Sequence, residues 1–333
     1  MEINKVKRYS VLFEITKKCN WKCDFCYAEC NNDDILSTND IKTIIDDLHN
    51  YGVIDLTFTG GEPLLRKEAF DIFNYAKEKG FALTLYTNGS LINESNIDLI
   101  KKMFGSVEVS LHSYNYEIHD NIVKSAGAWK KTVSAIKLLK KHKVNVCVKC
   151  VLTRFELPNI LLFKKFVEKD LEAEFNVDID ISNTYSGSDN GKNKNELTKD
   201  QLMILKTQMP LYYYGFDVND FIKKGGKFPG KCRAGDEILF IDAKGDLYPC
   251  IQFKKNGVNH IDNINWIESL LDKNIADIVN NNILFKKIRE LKREDFVICN
   301  NCDYNMLCQK CIGQNYVATG KLCFPDTDIC ART

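Results

Sequence analysis

Residues 19–27 read CNWKCDFCY, in which Cys19, Cys23 and Cys26 follow the spacing C-x3-C-x2-C directly after an apolar stretch. Three thiolates on one short loop can converge on an iron–sulfur cube, where three ligands leave one iron open. An open position on a metal can bind a substrate, as it does in catalytic zinc sites. Zinc or buried thiols are the simpler alternatives, and Cys30 could supply a fourth ligand. The loop alone therefore indicates a metal site and leaves the metal open.

Around this loop, between about residues 10 and 180, short apolar segments alternate with longer amphipathic ones. Six strands are predicted from their β-branched, aromatic and leucine residues. They are Tyr9–Thr16, Asp55–Thr59, Ala82–Thr87, Val107–His112, Asn145–Thr153 and Phe175–Ile181. The helices predicted between them are Thr38–Asn50, Lys67–Lys79, Asn93–Phe104, Ala128–His142 and Asn159–Leu171. Such a repeat builds an α/β fold with a parallel sheet. Six units predict a partial (β/α)6 barrel, with functional residues at the carboxyl ends of the strands.

The second part of the chain differs from the first in composition and in the length of its predicted elements. The polar stretch 183–195, NTYSGSDNGKNKN, predicts a linker, and one more helix is predicted around Thr198–Met209. Beyond it the elements shorten and Gly, Cys, Asp and Asn become frequent. We therefore predict a barrel domain over residues 1–215 and a small cysteine-rich domain over residues 216–333.

The fourteen cysteines are segregated along the chain. Four lie within residues 19–30, two are Cys147 and Cys150, and eight lie between Cys232 and Cys330. A cytosol keeps thiols reduced, so this distribution favours metal sites over disulfides. Cys147 and Cys150 lie on one predicted strand, whose period of two sends them to opposite faces and argues against a shared metal. We expect both to be small buried residues, and Cys150 could donate a hydrogen atom if it pointed into the barrel.

The overall composition excludes several classes of partner. Lys plus Arg exceed Asp plus Glu by one, so no net field selects nucleic acid or anionic lipid. The N-terminus, MEINKVKRYS, lacks the apolar region of a signal peptide. No apolar run approaches the roughly 18 residues that span a bilayer. We expect a cytoplasmic protein with neither a nucleic-acid nor a membrane partner.

Three further motifs end predicted strands. TGGEP (59–63) follows the second strand, TNG (87–89) ends the third, and Ser110 lies on the fourth within VEVSLHS. Each alone is an ordinary turn or strand signal. In this order, together with the cysteine loop and Phe25 at its aromatic position, they resemble the signature of the radical S-adenosylmethionine (SAM) enzymes. The resemblance spans residues 8 to about 180.

This resemblance implies a cofactor, a co-substrate and a chemistry. Cys19, Cys23 and Cys26 would hold a [4Fe–4S] cluster whose open iron binds SAM, and reductive cleavage would give a 5′-deoxyadenosyl radical that abstracts hydrogen from a substrate. The GGE motif of the family holds the SAM amino group, and the serine on the fourth strand contacts its ribose. The implied SAM contacts are Phe25, Gly60, Gly61, Glu62, Pro63, Asn88, Ser110 and Lys124. Lys124 stands where relatives often have an Arg after a His-Asp pair, and it cannot make the bidentate contact of a guanidinium.

The eight C-terminal cysteines match the ligand demand of two four-cysteine clusters, although zinc ribbons use similar pairs. Their layout resembles the SPASM extension of radical SAM enzymes, which holds two auxiliary [4Fe–4S] clusters, with x2 in place of the usual x3 in LCQKC. The resemblance implies three clusters in all. Auxiliary cluster I would use Cys232, Cys250 and Cys311, with Cys323 as its fourth ligand or an open position. Auxiliary cluster II would use Cys299, Cys302, Cys308 and Cys330.

The same resemblance implies an anaerobic enzyme that modifies a ribosomally made peptide or protein by a thioether or carbon–carbon cross-link or by epimerisation. Anaerobic sulfatase-maturating enzymes are an alternative, but the Asp that serves them as base after Pro-Cys is Ile251 here. A non-catalytic multi-cluster electron carrier would not need TGGEP, TNG or Ser110, and a small-molecule radical SAM enzyme is a third alternative. A ferredoxin or flavodoxin would supply electrons, and a separate leader-binding protein could present the peptide. No residue is assigned as catalytic acid or base.

Overall fold

The computed structural model describes residues 9–28, 30–179, 181, 192–209, 232–255, 258–301 and 311–325. Its first part confirms the predicted α/β alternation. The strands are β1 (Ser10–Glu14), β2 (Asp55–Thr59), β3 (Ala82–Thr87), β4 (Ser106–Ser110), β5 (Val146–Val151) and β6 (Glu174–Asp178). The helices are α1 (Thr38–Tyr51), α2 (Ala69–Glu78), α3 (Ile97–Met103), α4 (Tyr116–Val123), α5 (Ala128–Lys141) and α6 (Ile160–Lys165). Neighbouring strands from β1 to β6 pair in parallel, which brings all their carboxyl ends to one edge.

Helix α1 shows how local sequence sets the boundaries of an element. The Ser37 side chain accepts a hydrogen bond from the Asp40 backbone N–H, and the Asp40 carboxylate accepts one from the Ser37 N–H, which closes a capping box. Four apolar side chains at helical spacing are buried on one face: Ile41, Ile44, Ile45 and Leu48. The helix ends at Gly52, whose φ of 92° is the left-handed conformation that glycine adopts without strain.

The parallel sheet has an outer face under the helices and an inner face opposite them. Alternate strand residues such as Phe13, Phe58 and Val148 are fully buried in the core between sheet and helices. Cys150 belongs to this outer core, so it does not point into the barrel and the hydrogen-donor hypothesis for it is wrong. Cys147 is half-buried on the inner face, which confirms that the two thiols diverge, but the expectation that both are buried is wrong for Cys147.

After α7 (Lys192–Asn195) and α8 (Lys199–Gln208), the cysteine-rich region adds to the same sheet. The strands β7 (Ile238–Ile241), β8 (Asp246–Tyr248) and β11 (Glu268–Ser269) join that sheet, whereas β9 (His260–Ile261) and β10 (Ile264–Asn265) pair with each other in a separate antiparallel sheet. The strand order is β11-β8-β7-β1-β2-β3-β4-β5-β6, with β7 parallel to β1 and β8 antiparallel to β7. Four short helices follow: α9 (Ile275–Asn281), α10 (Ile283–Glu290), α11 (Val297–Asn300) and α12 (Ile312–Thr319). Among the described residues, the sheet therefore has three strands more than the six predicted.

Other differences from the sequence predictions are local. Helix α4 was not predicted, and α6 passes into a π-helical turn over Phe166–Asp170. The predicted domain boundary at residue 215 lies outside the described residues. In the part of the chain that is described, none of the helices has the length and apolar character needed to cross a membrane.

Candidate active site

The cysteine loop follows β1 and is held by the end of α4. Backbone N–H groups of Lys22 and Asp24 donate to the carbonyls of Val123 and Ile122 at 3.0 and 2.9 Å. Aromatic side chains of the loop, Trp21 and Phe25, are buried against Ile122, Val123, Ala128 and Ile181, with Cys19 and Cys23 beside them. Two apolar residues between the cysteines thus anchor a loop whose thiols remain only partly buried.

The thiols of this loop converge, and Cys30 is among them. The Sγ atoms of Cys26 and Cys30 are 3.9 Å apart, and Cys30 also hydrogen-bonds to Cys19. The bond with Cys30 lowers the pKa of the Cys26 thiol to about 7, whereas burial raises the pKa of Cys23. Within the described residues, no three Cys, His, Asp or Glu side chains surround a single metal ion. Thiolates that each bind a different iron of one cluster do not need to meet at one point, so the donor set fits the implied [4Fe–4S] group.

The TGGEP turn packs directly on the cysteine loop. The Gly61 N–H donates to Thr16 O at 3.0 Å and the Glu62 N–H to Lys18 O at 2.7 Å. A Cβ atom on Gly60 would lie 2.4 Å from Thr16 O, and one on Gly61 would lie 2.2 Å from Lys18 O. Only glycine permits this approach of two backbones, so both positions require it.

The Glu62 carboxylate connects TGGEP with TNG. It is fully buried and accepts hydrogen bonds from Thr87 Oγ1 at 2.8 Å and from the Asn88 N–H at 2.7 Å. Burial raises the pKa of the Glu62 carboxyl to about 7. The Asn88 amide in turn donates to Asn20 Oδ1 in the cysteine loop at 2.8 Å. Three motifs separated in sequence thus meet at the carboxyl edge of β1, β2 and β3.

The remaining implied SAM contacts are more dispersed. Pro63 is buried next to Glu62, and Ser110 ends β4 on the inner face. Lys124 ends α4 with φ 52°, and its Nζ lies 3.0 Å from the Asp24 carboxylate of the cysteine loop. In this structure Lys124 therefore stabilises the loop itself.

Two buried histidines near Phe25 were missed by the sequence reasoning. The His112 ring packs edge-on to Phe25 at 4.9 Å, and its Nδ1 accepts from the Val151 N–H. His119 Nδ1 accepts from the His112 N–H, and its Nε2 is buried without a hydrogen-bond partner. Burial lowers the pKa of His112 to about 3 and that of His119 to about 4, so both rings are neutral at physiological pH. The His119-Asp120 pair was the only signal that could have located them.

The inner face also carries charges that sequence reasoning did not find. Lys149 Nζ lies 3.2 Å from Glu108 Oε2 on the neighbouring strand, and Tyr86 hydrogen-bonds to Glu108. At the carboxyl ends of β1 and β7, Lys254 Nζ lies 2.7 Å from Asp242 and 3.5 Å from Glu14. We call Glu14, Asp242 and Lys254 the buried triad, because the two carboxylates are 2 % exposed and the lysine 8 %.

The described C-terminal cysteines form two neighbourhoods. Cys232, Cys250 and Cys311 lie close enough to interact electrostatically, and burial raises the pKa of Cys250. Cys323 interacts with Cys299 instead, and burial raises its pKa to about 11. Cys302, Cys308 and Cys330 lie outside the described residues.

Comparison with known proteins agrees with this geometry. Residues 13–159 match the radical SAM superfamily and residues 232–303 match the SPASM iron–sulfur cluster-binding domain. The chain therefore contains a radical SAM domain followed by a SPASM domain, and these domains imply [4Fe–4S] clusters and SAM.

Particular relatives differ in what they are named for. An AdoMet-dependent heme synthase of Methanosarcina barkeri is 24 % identical over 337 residues, which cover 93 % of each chain. The subtilosin biosynthesis protein AlbA of Bacillus subtilis is 28 % identical over 258 residues, covering 73 % of this chain and 55 % of AlbA. Among solved structures, Streptococcus suis SuiB bound to SAM superposes with a TM-score of 0.72 at 18 % identity, covering 96 % of this chain and 77 % of SuiB. SuiB has also been solved with its precursor peptide SuiA, and that structure gives the same TM-score.

Proposed function

We propose that this chain is a radical SAM enzyme that modifies a ribosomally made peptide or protein, and that it carries three [4Fe–4S] clusters. The observation that carries the proposal is the meeting of the TGGEP and TNG turns with the Cys19–Cys26 loop around the buried Glu62. An electron carrier would have no use for this assembly, because it would bind no second molecule beside its cluster.

The roles of the residues follow from their chemistry. Cys19, Cys23 and Cys26 would hold the first cluster, and Glu62 would accept a hydrogen bond from the SAM amino group. When bound to the reduced cluster, SAM supplies a 5′-deoxyadenosyl radical, which removes a hydrogen atom from the substrate. The TGGEP turn, which both glycines allow to pack on the cysteine loop, would orient SAM, and the packed aromatic residues around the loop would exclude water. The C-terminal cysteines would hold the auxiliary clusters.

A peptide substrate is favoured by two relatives and by the inner face. AlbA is named for subtilosin biosynthesis, and SuiB is known in complex with a precursor peptide. Peptide backbones carry many donors and acceptors, and the inner face offers charged partners for them in Glu108 and Lys149. Ile251 occupies the position of the sulfatase-maturase base, so that alternative is disfavoured. A ferredoxin or flavodoxin would reduce the first cluster, and a leader-binding protein could present the peptide.

A second candidate is an enzyme acting on a tetrapyrrole. The match to a heme synthase over 93 % of both chains favours it. The two candidates differ in the substrate and share the same SAM chemistry.

The test is anaerobic co-expression of the chain with the short peptide encoded nearest to its gene, followed by mass spectrometry of the peptide. Loss of two hydrogens establishes a cross-link. A peptide whose mass is unchanged after reaction in H2O but increases by deuterium uptake after reaction in D2O has been epimerised. Cys23→Ala, which removes a proposed ligand of the first cluster, is the inactive control, and Cys150→Ala, in the outer core, is the matched cysteine control. If the peptide stays unchanged while SAM is still cleaved, the peptide proposal fails. Incubation with iron-loaded porphyrin precursors then tests the second candidate.

A further inference from the structure

Cys30 lies at the SAM site although the cysteine motif does not include it. Its backbone is fixed where the chain returns past β1, because the Asn31 N–H donates to Lys17 O at 2.9 Å. Its Sγ lies 3.9 Å from Cys26 Sγ, and it hydrogen-bonds to Cys19 as well. A fourth thiol thus touches two of the three thiols expected to bind the cluster.

A cube bound by three cysteines has one iron without a protein ligand. A thiolate is a strong ligand for iron. A thiol on the same loop loses little conformational entropy when it binds this iron. SAM needs the same iron for its amino and carboxylate groups. The two ligands would therefore compete for one coordination position.

We propose that Cys30 is an exchangeable ligand, which binds the open iron while SAM is absent and is displaced when SAM binds. The inference rests on the proposed function, since it assumes a SAM-binding cluster at Cys19, Cys23 and Cys26. In the exchange the iron–sulfur bond to Cys30 breaks, the SAM ammonium releases a proton that the Cys30 thiolate takes up, and the resulting amino group and the carboxylate of SAM bind the iron. The oxidation state of the cluster does not change.

Two consequences follow for the cluster. A fourth thiolate protects the open iron from loss on oxidation. It also adds one negative charge to the cluster, which lowers the reduction potential until SAM takes its place. The cluster would then be hard to reduce in the absence of SAM. This limits both the uptake of electrons that SAM would not use and the reaction of the reduced cluster with oxygen.

The experiment compares the reconstituted full-length wild type with Cys30→Ala, Cys30→Ser and the control Cys147→Ala. Each protein is oxidised with ferricyanide without SAM, and the [3Fe–4S] signal is measured by electron paramagnetic resonance. We expect the signal to rise in both Cys30 variants and not in the control. SAM affinity is measured separately by equilibrium dialysis. If Cys30 occupies the iron nine-tenths of the time, its removal tightens the apparent Kd about tenfold.

The outcomes separate this inference from the function on which it rests. Equal [3Fe–4S] signals and equal SAM affinities in wild type and variants would overturn the exchange. Loss of the whole first cluster in both Cys30 variants would overturn it too, since Cys30 would then be a permanent ligand. The serine variant preserves side-chain size, so it gives a readout if the alanine variant folds poorly. A wild-type protein that binds neither this cluster nor SAM would instead refute the proposed function.

Discussion

Replacement of Lys254 by methionine tests whether the buried triad stabilises the fold. At an effective dielectric constant of about 20, Coulomb's law gives attractions of about 6 kcal/mol at 2.7 Å and about 5 kcal/mol at 3.5 Å. Desolvation of the ammonium and repulsion between Glu14 and Asp242 offset much of this. Removing the lysine, however, leaves two buried carboxylates without their cation, and such a loss costs about 3–5 kcal/mol. An unfolding entropy of about 2.1 cal/mol/K per residue over 333 residues converts this cost into a fall in Tm of about 4–7 °C.

The assay is thermal unfolding of the cluster-loaded protein, followed anaerobically by circular dichroism. Lys141→Met is the matched control, because Lys141 pairs with Glu94 at 3.6 Å where both side chains are about 70 % exposed. Exposed ion pairs contribute less than about 1 kcal/mol to the free energy of unfolding, so the Tm of the control variant should fall by less than about 1.5 °C. The double variant Lys254→Met/Asp242→Asn should recover part of the loss, since it removes one of the uncompensated charges. Equal shifts in Lys254→Met and Lys141→Met would refute the reasoning.

Three further predictions concern the site. Gly61→Ala should prevent assembly of the first cluster, measured as a fall in iron per chain, because its Cβ would lie 2.2 Å from a carbonyl oxygen of the cysteine loop. Gly105→Ala is the control and should keep full iron content, because its Cβ would meet only Leu83 O at the ordinary contact distance of 3.8 Å. SAM affinity should fall as pH drops through about 7, because the pKa of Glu62 is raised to about 7 and only the ionised carboxylate offers a negative charge to the N–H groups of the SAM amino group. Dialysis between about pH 8 and 6 should show up to about tenfold weakening per unit, and Glu62→Gln should bind weakly at every pH. Lys149→Met should lower the yield of modified peptide in the mass-spectrometric assay, because Lys149 pairs with Glu108 on the inner face proposed for the peptide. The affinity for SAM should change less than about twofold. An equal loss of SAM affinity would contradict this separation of peptide binding from SAM binding.

The local sequence was sufficient to predict the structure wherever the determining pattern extends over only a few residues. The strand Ala82–Thr87 has the bounds that its apolar alternation predicts, because burial of one face imposes a period of two. The meeting of TGGEP, TNG and the cysteine loop also follows from parallel strands, whose carboxyl ends share one edge.

What sequence reasoning missed depends on contacts between distant residues. The pairing of Ser10 with Ile238 has no local signal, because β7 is only four residues long and follows a change in composition. The buried triad was missed for the same reason, since Lys254 resembles any surface lysine until β7 brings Asp242 beside Glu14. The approach of Cys30 to Cys19 depends on the path of a loop, for which residue spacing gives no unique answer.

The position of β1 between β2 and β7 has a consequence for electron transfer. β1 leads into the Cys19–Cys26 loop, and β7 is joined by a tight turn to β8, which leads into Cys250. Because backbone hydrogen bonds join β1 to β7, the two regions cannot separate without breaking a continuous sheet. The distance between clusters bound in these two regions would therefore stay constant. The rate of electron tunnelling between them would not depend on a hinge motion.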